Sequence, residues 1–289
     1  GIRIIGDVPI YVPYDSADVW SNPELFQLNE DLDPTGVAGV PPDAFSEDGQ
    51  LWGNPLYRWD YHHSTGYAWW VKRMQHSFKR YDIVRIDHFR GFEAYYSIPA
   101  GEETAMNGQW VKGPGMELFR TIHARLGDVN VIAEDLGLMT EGVRKLVRDS
   151  GYPNMKVLQF AVDPSDIAFH NDYWPQNYDS NCVVYTGTHD NETLVGWFDT
   201  ICCKDRCLAR NYICDFYTPE EEIHQPFVAL AMSTVSKYCI IPIQDYLGLG
   251  NDCRMNKPST LGGNWRWRGL KEQLTKDVQK EIRSQTVRY

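Results

Sequence analysis

Three acidic residues, each at the end of an apolar run, are the part of this sequence best suited to chemistry. Asp87 closes the segment IVRID, Glu134 closes VIAE, and Asp190 follows VVYTGTH. In a parallel βα fold the carboxyl ends of the strands meet at one edge, so acids remote in sequence converge there. The pattern therefore predicts one cleft with three carboxylates, although each acid alone also fits a helix cap or a solvated loop.

Arg85 lies two residues before Asp87, which places both side chains on the same face of a strand. A cation beside a carboxylate lowers its pKa and keeps it ionised, as a nucleophile requires, although a structural ion pair has the same pattern. A second acid must keep its proton at neutral pH, and neighbouring carboxylates raise the pKa of such a group. Glu134 is our candidate for this acid. Glycosidic bond cleavage needs this division, with one carboxylate attacking the anomeric carbon and one acid protonating the leaving oxygen.

Six short apolar runs, rich in β-branched and aromatic residues, are the strands expected to position these acids. Several are continuous rather than alternating, as in VVYT and CIIPI, which is typical of parallel strands covered on both faces. Segments with helical periodicity lie between them, and the apolar stripe Leu270, Leu274, Val278 and Ile282 predicts a last helix. The fold class expected is α/β, with repeated βα units. The six runs are residues 2–12, 81–89, 130–136, 155–162, 182–188 and 238–246.

Two long segments interrupt this pattern. Residues 13–66 have no strong period and contain the aromatic cluster GQLWGNPLYRWDY, which is typical of a lid or a binding element. Residues 248–264, rich in Gly, Asn, Pro and Ser, follow the last strand. Because no repeat or linker divides the sequence, we expect one domain over residues 1–289, with a lid-like insertion at about 13–66.

The charge and composition restrict the class of ligand. With 28 Lys and Arg against 39 Asp and Glu, the formal net charge is −11, which disfavours nucleic acid or an anionic membrane as a partner. A neutral ligand fits better. Ten Trp and seventeen Tyr are suited to stacking on sugars, although aromatic residues of an ordinary core are the alternative for any one of them.

The seven cysteines and the absence of a targeting pattern indicate a cytoplasmic protein. The cysteines are odd in number and form no CxxC pair, so we expect reduced thiols and no metal site. No signal-peptide pattern and no run of about 18 apolar residues occurs. Neither the histidine pair at 62–63 nor Lys112 is assigned a role.

Six sequence blocks occur in an order that resembles one enzyme family. Together they are similar to the amylomaltases, the bacterial 4-α-glucanotransferases of glycoside hydrolase family 77, over residues 6–268. The resemblance implies a (β/α)8 TIM-type barrel with inserted subdomains, whose first two strands are missing from this segment. It also implies transfer of α-1,4-glucan segments between maltooligosaccharides. The blocks are GDVPIYVPYDSADVW, GQLWGNPLYRWD, VRIDHFRGFE, AEDLG, GTHDNET and LGGNWRWR.

The same resemblance implies a role for each matching residue. Asp87 is expected to be the nucleophile, Glu134 the general acid and base, and Asp190 the carboxylate that stabilises the transition state. Arg85 and His189 are expected to contact the sugar at the cleavage site. The remaining residues belong to a lid that binds the acceptor sugar and limits water, and to a second rim loop: Trp52, Asn54, Pro55, Tyr57 and Trp59 in the lid, and Asn256 in the rim loop.

The expected reaction is a retaining double displacement on maltooligosaccharides and other α-1,4-glucans. Carboxylates suffice for it, so no cofactor and no metal is expected, and neither a nucleic acid nor a membrane is an expected partner; the oligomeric state is left open. Two alternatives remain. An α-glucan hydrolase of the amylase clan would use the same three acids. A non-catalytic glucan-binding fragment would follow from an open barrel, whose unpaired strand edges also favour aggregation.

Overall fold

The computed structural model describes residues 1–42, 46–137, 139–163, 165, 169–260 and 262–289. The chain divides into two compact units, Gly1–Asn154 and Met155–Tyr289. The strands of the described residues are β1 Ile5–Val8, β2 Gly36–Val40, β3 Gln50–Pro55, β4 Ile83–Ile86, β5 Ala94–Pro99, β6 Gln109–Lys112, β7 Val131–Ala133, β8 Asn154–Val157, β9 Cys182–Tyr185 and β10 Tyr238–Ile240.

Helices separate the six strands of the parallel pattern. The α-helices are α1 Ala17–Ser21, α2 Trp59–Ser64, α3 Ala68–Phe78, α4 Met116–Leu126, α5 Glu141–Ser150, α6 Leu194–Thr200, α7 Cys203–Ile213, α8 His224–Met232, α9 Ile243–Tyr246 and α10 Lys276–Arg288. Single 3₁₀ turns cover Pro23–Leu25, Phe89–Phe92, Leu158–Ala161, Pro175–Asn177, Glu220–Glu222, Asn251–Cys253 and Lys271–Gln273. No helix of the described residues is both long enough and apolar enough to span a bilayer.

A parallel sheet organises the first unit. β1 pairs with β4, β4 with β7, and β7 reaches β8 through the pair Ala133↔Asn154. All residues of β4 and β7 are buried, which explains why they are apolar throughout except for Arg85 in β4. Helices α3, α4 and α5 supply the apolar faces that cover these strands, with Trp70, Phe119 and Leu146 in the core.

A second, antiparallel sheet in the first unit has the order β3-β2-β5-β6. Its strands were not among the six predicted runs, and β2 and β3 lie inside the insertion expected at about 13–66. β2 was missed because it contains glycines and because its pairing with β3 shifts register between Val37 and Gly39, so its sequence shows no regular alternation. Gly39 lies so close to the carbonyl of Gln50 that a Cβ would clash there.

The second unit pairs β9 with β10 in parallel, with Val184 opposite Cys239. Helices α6 and α8 pack a core that includes Leu194, Phe198 and Phe227. Every one of the six predicted runs therefore contains a strand, the paired ones run parallel, and the α/β class is confirmed.

The last helix begins later than the apolar stripe predicted. Leu270 and Leu274 lie before α10 and are exposed. The reason is a cap: the Thr275 hydroxyl accepts a hydrogen bond from the backbone N–H of Val278 and starts the helix at Lys276.

Candidate active site

Strands β1 and β4 bring two carboxylates to one buried cation. Asp7 and Arg85 are partners in the parallel register, and Asp87 follows directly after β4. Nη1 of Arg85 donates to Asp7 Oδ1 at 2.7 Å, to Asp7 Oδ2 at 2.8 Å and to Asp87 Oδ1 at 2.9 Å. The Asp87 side chain is thus oriented by a fixed positive charge, while about two fifths of it stays exposed.

The charge of Arg85 is secured by its neighbours. Burial alone lowers the pKa of a guanidinium, but the carboxylates of Asp7 and Asp87, with a smaller contribution from Glu134, outweigh it and raise the pKa of Arg85 above its ordinary value. A permanently charged Arg85 stabilises the ionised form of the carboxylates that it touches, which is the condition for a carboxylate nucleophile.

Sequence reasoning missed Asp7. It lies inside the first apolar run, in GDVPIYV, and it is one of the few acids in any of the six runs. The signal was therefore present: a carboxylate within a strand expected to be buried on both faces needs a partner, and Arg85 lies within the next strand along the chain.

Glu134 is the buried acid of the cluster. It follows β7, is 8% exposed, and its backbone N–H donates to the carbonyl of Ile86. Its Oε2 accepts the backbone N–H of His88 at 2.6 Å, and its Oε1 accepts that of Leu136 at 2.8 Å. Burial, and then the charge of Asp87, raise the pKa of Glu134 to about 7, against the opposing effects of Arg85 and the two amides. A carboxyl group with this pKa can hold and release a proton at neutral pH.

His88 is a second residue of the cluster that the sequence analysis missed. It directly follows Asp87 and has the left-handed backbone φ of 48°, a strained conformation that proteins keep mainly at functional sites. Its ring is buried and meets the indole of Trp52 edge-on, with 4.8 Å between the ring centroids. Burial, and then the charge of Arg90, lower the pKa of His88 to about 3, so the imidazole is neutral.

The lid residues differ in their surroundings. Trp52 on β3 is 37% exposed, and Asn54 is half-buried beside it in the same strand. Pro55 is buried, and Tyr57 is buried in the core, where its hydroxyl donates to the carbonyl of Ile10 at 2.7 Å. Trp59 packs against the Tyr57 ring. The structure therefore leaves Trp52 as the aromatic lid residue most accessible to a ligand.

Asp190 lies in the second unit, on the loop between β9 and α6. Asn256 Nδ2 donates to Asp190 Oδ1 at 2.5 Å, and the Asn256 backbone N–H donates to the His189 carbonyl at 3.1 Å. His189 Nε2 lies 3.4 Å from Asp190 Oδ2. Arg254, which the sequence analysis missed, donates from Nη2 to the Asp190 carbonyl at 2.5 Å. Three predicted site residues, His189, Asp190 and Asn256, are thus in mutual contact.

No group of three or more His, Cys, Asp or Glu side chains in the described part of the chain is arranged to hold a metal ion. His62 is buried among aromatic rings, and His63 Nε2 lies 2.8 Å from Glu117 Oε1. None of the seven cysteines forms a disulfide in the structure.

Comparison with known proteins identifies the family. The family model described as 4-alpha-glucanotransferase, glycoside hydrolase family 77, matches residues 1–272. The chain belongs to this family. Among curated relatives, the 4-alpha-glucanotransferase of Clostridium butyricum is 49% identical over 284 residues, covering 97% of the chain, and that of Thermus thermophilus is 47% identical over 289 residues, covering 98%. The resemblance found in the sequence blocks is confirmed.

Solved structures agree with this assignment. An amylomaltase from Streptococcus agalactiae, solved in complex with acarbose, matches 99% of the chain with a TM-score of 0.95 and 45% identity. The amylomaltase of Corynebacterium glutamicum has the same fold at 18% identity, with a TM-score of 0.72 over 90% of the chain. The chain spans 57% of the length of the Clostridium and Thermus relatives and of the Streptococcus structure.

Proposed function

We propose that the protein is a 4-α-glucanotransferase that moves α-1,4-glucan segments between maltooligosaccharides with retention of configuration. The observation that carries this proposal is the pairing of an Arg85-held carboxylate, Asp87, with a buried acid of raised pKa, Glu134, at the ends of neighbouring strands. Membership of the 4-α-glucanotransferase family supports it.

In the first step the Asp87 carboxylate attacks C1 of the donor glucan. The glycosidic C1–O4 bond breaks, and Glu134 gives its proton to the departing 4-oxygen. A glucosyl ester on Asp87 and a free 4-hydroxyl on the released fragment result. Arg85 donates a hydrogen bond to Asp87, which favours its negative charge, and the raised pKa of Glu134 keeps a proton available at neutral pH.

In the second step Glu134, now a carboxylate, takes the proton from the 4-hydroxyl of an acceptor sugar. The acceptor oxygen attacks C1 and displaces Asp87, so two inversions leave an α-1,4 bond. We assign to Asp190 the stabilisation of the transition state, and to Arg85, His189, Asn256, Trp52, Asn54 and Trp59 the binding of sugars. Pro55 and Tyr57, which are buried, support the lid from within.

The chemistry of the molecule also fits neutral sugar ligands in a reducing compartment. A net charge of −11 repels polyanions and has little effect on uncharged glucans. Seven cysteines without a disulfide support a cytoplasmic location.

Product analysis with maltotriose tests the proposal. A transferase yields glucose together with a ladder of longer oligosaccharides, whereas a hydrolase of the amylase clan yields mainly shorter sugars. We expect Glu134→Gln to reduce the rate about 10²- to 10⁴-fold, since it removes the general acid. Glu141→Gln, which changes an exposed carboxylate of α5, is the matched control and should retain the activity.

Two outcomes contradict the proposal. Glucan binding without any product from the folded protein would favour a non-catalytic binding fragment. Equal rates for the protein and for Glu134→Gln would remove Glu134 from the reaction.

A further inference from the structure

One buried carboxylate holds both ends of the loop that carries Asp190. The loop, residues 187–193, follows Thr186 at the end of β9 and precedes Leu194, the first residue of α6. The hydroxyl of Thr186 donates to Asp245 Oδ2 at 2.5 Å, and the backbone N–H of Leu194 donates to Asp245 Oδ1 at 2.8 Å. Asp245 lies on α9, so a third element closes the loop at its base.

The burial of these groups sets them apart from ordinary surface contacts. Asp245 is 1% exposed, while Thr186 and Leu194 are fully buried. Burial raises the pKa of Asp245 to about 6, and the two donors oppose that rise. An ionised carboxylate in such a place costs free energy unless its oxygens accept hydrogen bonds, and here each oxygen accepts one. Thr186 and Leu194 are therefore each held to Asp245 by a buried hydrogen bond.

Other hydrogen bonds of the loop hold its tip and Glu192, whose carbonyl accepts from Gln159 Nε2 at 2.8 Å and whose Oε1 accepts from Asn251 Nδ2 at 2.7 Å. Within the loop, the backbone N–H and the hydroxyl of Thr188 both donate to Asn191 Oδ1, and the Asp190 backbone N–H donates to the Thr188 hydroxyl. Arg254 and Asn256 then hold Asp190 itself. These bonds hold residues within the loop, whereas Asp245 bonds both residues that flank it, Thr186 and Leu194.

We propose that Asp245 is a positioning residue for Asp190: by fixing Thr186 and Leu194 it sets the place of the Asp190 carboxylate during glucan transfer. The effect of Asp245 on the rate of glucan transfer rests on the proposed function, whereas its effect on the order of the loop does not. A misplacement of a reacting group by about 1 Å costs about 100-fold in rate. The effect is therefore expected on kcat rather than on the affinity for donor glucan.

The test uses Thr186, because valine has nearly the same shape and lacks only the donor. Thr186→Val breaks the bond to Asp245, and Thr186→Ser restores the hydroxyl. Thr234→Val, just after α8, is the control, since it also exchanges a threonine for valine in the second unit but loses only local bonds, to the Ala231 carbonyl and with the Ser236 hydroxyl. Asp245→Ala removes both bonds at once, and Thr186→Val keeps the test possible if that variant does not fold.

Two measurements are made on the full chain. Hydrogen exchange of the peptide containing residues 187–193 should become about five- to tenfold faster in Thr186→Val, as the loss of one buried hydrogen bond implies, and return in Thr186→Ser. For maltotriose, kcat should fall about tenfold or more with KM within about twofold, again with rescue by serine.

The outcomes separate this proposal from the proposed function. Unchanged exchange in Thr186→Val overturns the role of Asp245 in ordering the loop. Faster exchange with an unchanged kcat, in a protein that does transfer glucan, overturns its role in positioning Asp190. If the unaltered protein transfers no glucan, the proposed function fails, and the exchange data alone decide whether Asp245 fixes the loop.

Discussion

Glu134 makes the stability of this protein depend on pH in a definite direction. Its pKa is raised from 4.5 to about 7 by burial and by Asp87, so the folded state binds its proton more tightly than the unfolded state. The stabilisation is therefore complete below about pH 4.5 and is lost as the pH rises through about 7. The loss amounts to up to about 3 kcal/mol in the free energy of unfolding.

Urea unfolding across this range measures the effect. In Glu134→Gln the group no longer titrates, so the decline between about pH 5 and pH 7 should flatten. Glu141→Gln should keep the original slope. Arg148 lowers the pKa of Glu141, so this group titrates at a more acidic pH than the range measured. An identical slope in all three proteins would show that the pKa of Glu134 is not raised in the folded state.

Arg85 stabilises the cluster because it is the cation shared by Asp7 and Asp87. Arg85→Met leaves these carboxylates facing Glu134 without a counter-charge. We expect a loss of about 2 kcal/mol in the free energy of unfolding at pH 7. This is less than for a fully buried ion pair, because both aspartates are partly exposed.

The control for Arg85→Met is Arg148→Met, which removes the exposed ion pair with Glu141 on α5 and should have a much smaller effect. Denaturant unfolding at fixed pH compares the two. Equal losses would mean that the buried cation contributes no more than a surface charge.

At the level of elements, the sequence predicts the parallel strands well and the antiparallel sheet poorly. Strands β4 and β9 are buried on both faces. Their sequences are therefore apolar throughout, except for Arg85 in β4. Strand β2 contains two glycines and a register shift, so its sequence has no alternation to recognise. The acids at the strand ends could be predicted from topology. The left-handed turn at His88 and the pairing of Asp7 with Arg85 could not, because they depend on contacts between strands.

Strand β3 brings Trp52 against His88, and this element offers a test of the lid. If the indole limits the access of water to the glucosyl ester, Trp52→Ala should raise the ratio of hydrolysis to transfer several-fold, while Trp52→Phe should have a smaller effect. The measurement is the number of new reducing ends, which only hydrolysis creates, relative to the amount of longer oligosaccharides formed from maltotriose.

Trp110 provides a matched control for Trp52. It lies on β6 of the same antiparallel sheet and is 38% exposed, nearly the same as Trp52 at 37%, but it packs against Arg90 and Tyr96. Trp110→Ala should leave the ratio unchanged. A similar rise in both variants would mean a general loosening of the sheet rather than a role for Trp52.

In the whole molecule, the acids assigned to one reaction come from both units, with Asp87 and Glu134 in Gly1–Asn154 and Asp190 in Met155–Tyr289. Sequence order and family resemblance assign them to one reaction, and kinetics can test that assignment directly. Residues that serve the same transition state lose rate non-additively, whereas independent effects multiply.

We therefore expect the double variant Glu134→Gln with Asp190→Asn to be about as slow as the slower single variant, with each single loss about 10²- to 10⁴-fold in kcat for maltotriose. The control combines Glu134→Gln with Asp199→Asn, an exposed acid of α6 in the second unit, and should match Glu134→Gln alone. A double variant whose loss equals the product of the two single losses would show that Asp190 acts apart from Glu134. Asp190 would then contribute to the rate independently of Glu134 rather than in the same transition-state contact, while the assignments of Asp87 and Glu134, which rest on contacts within one unit, would stand.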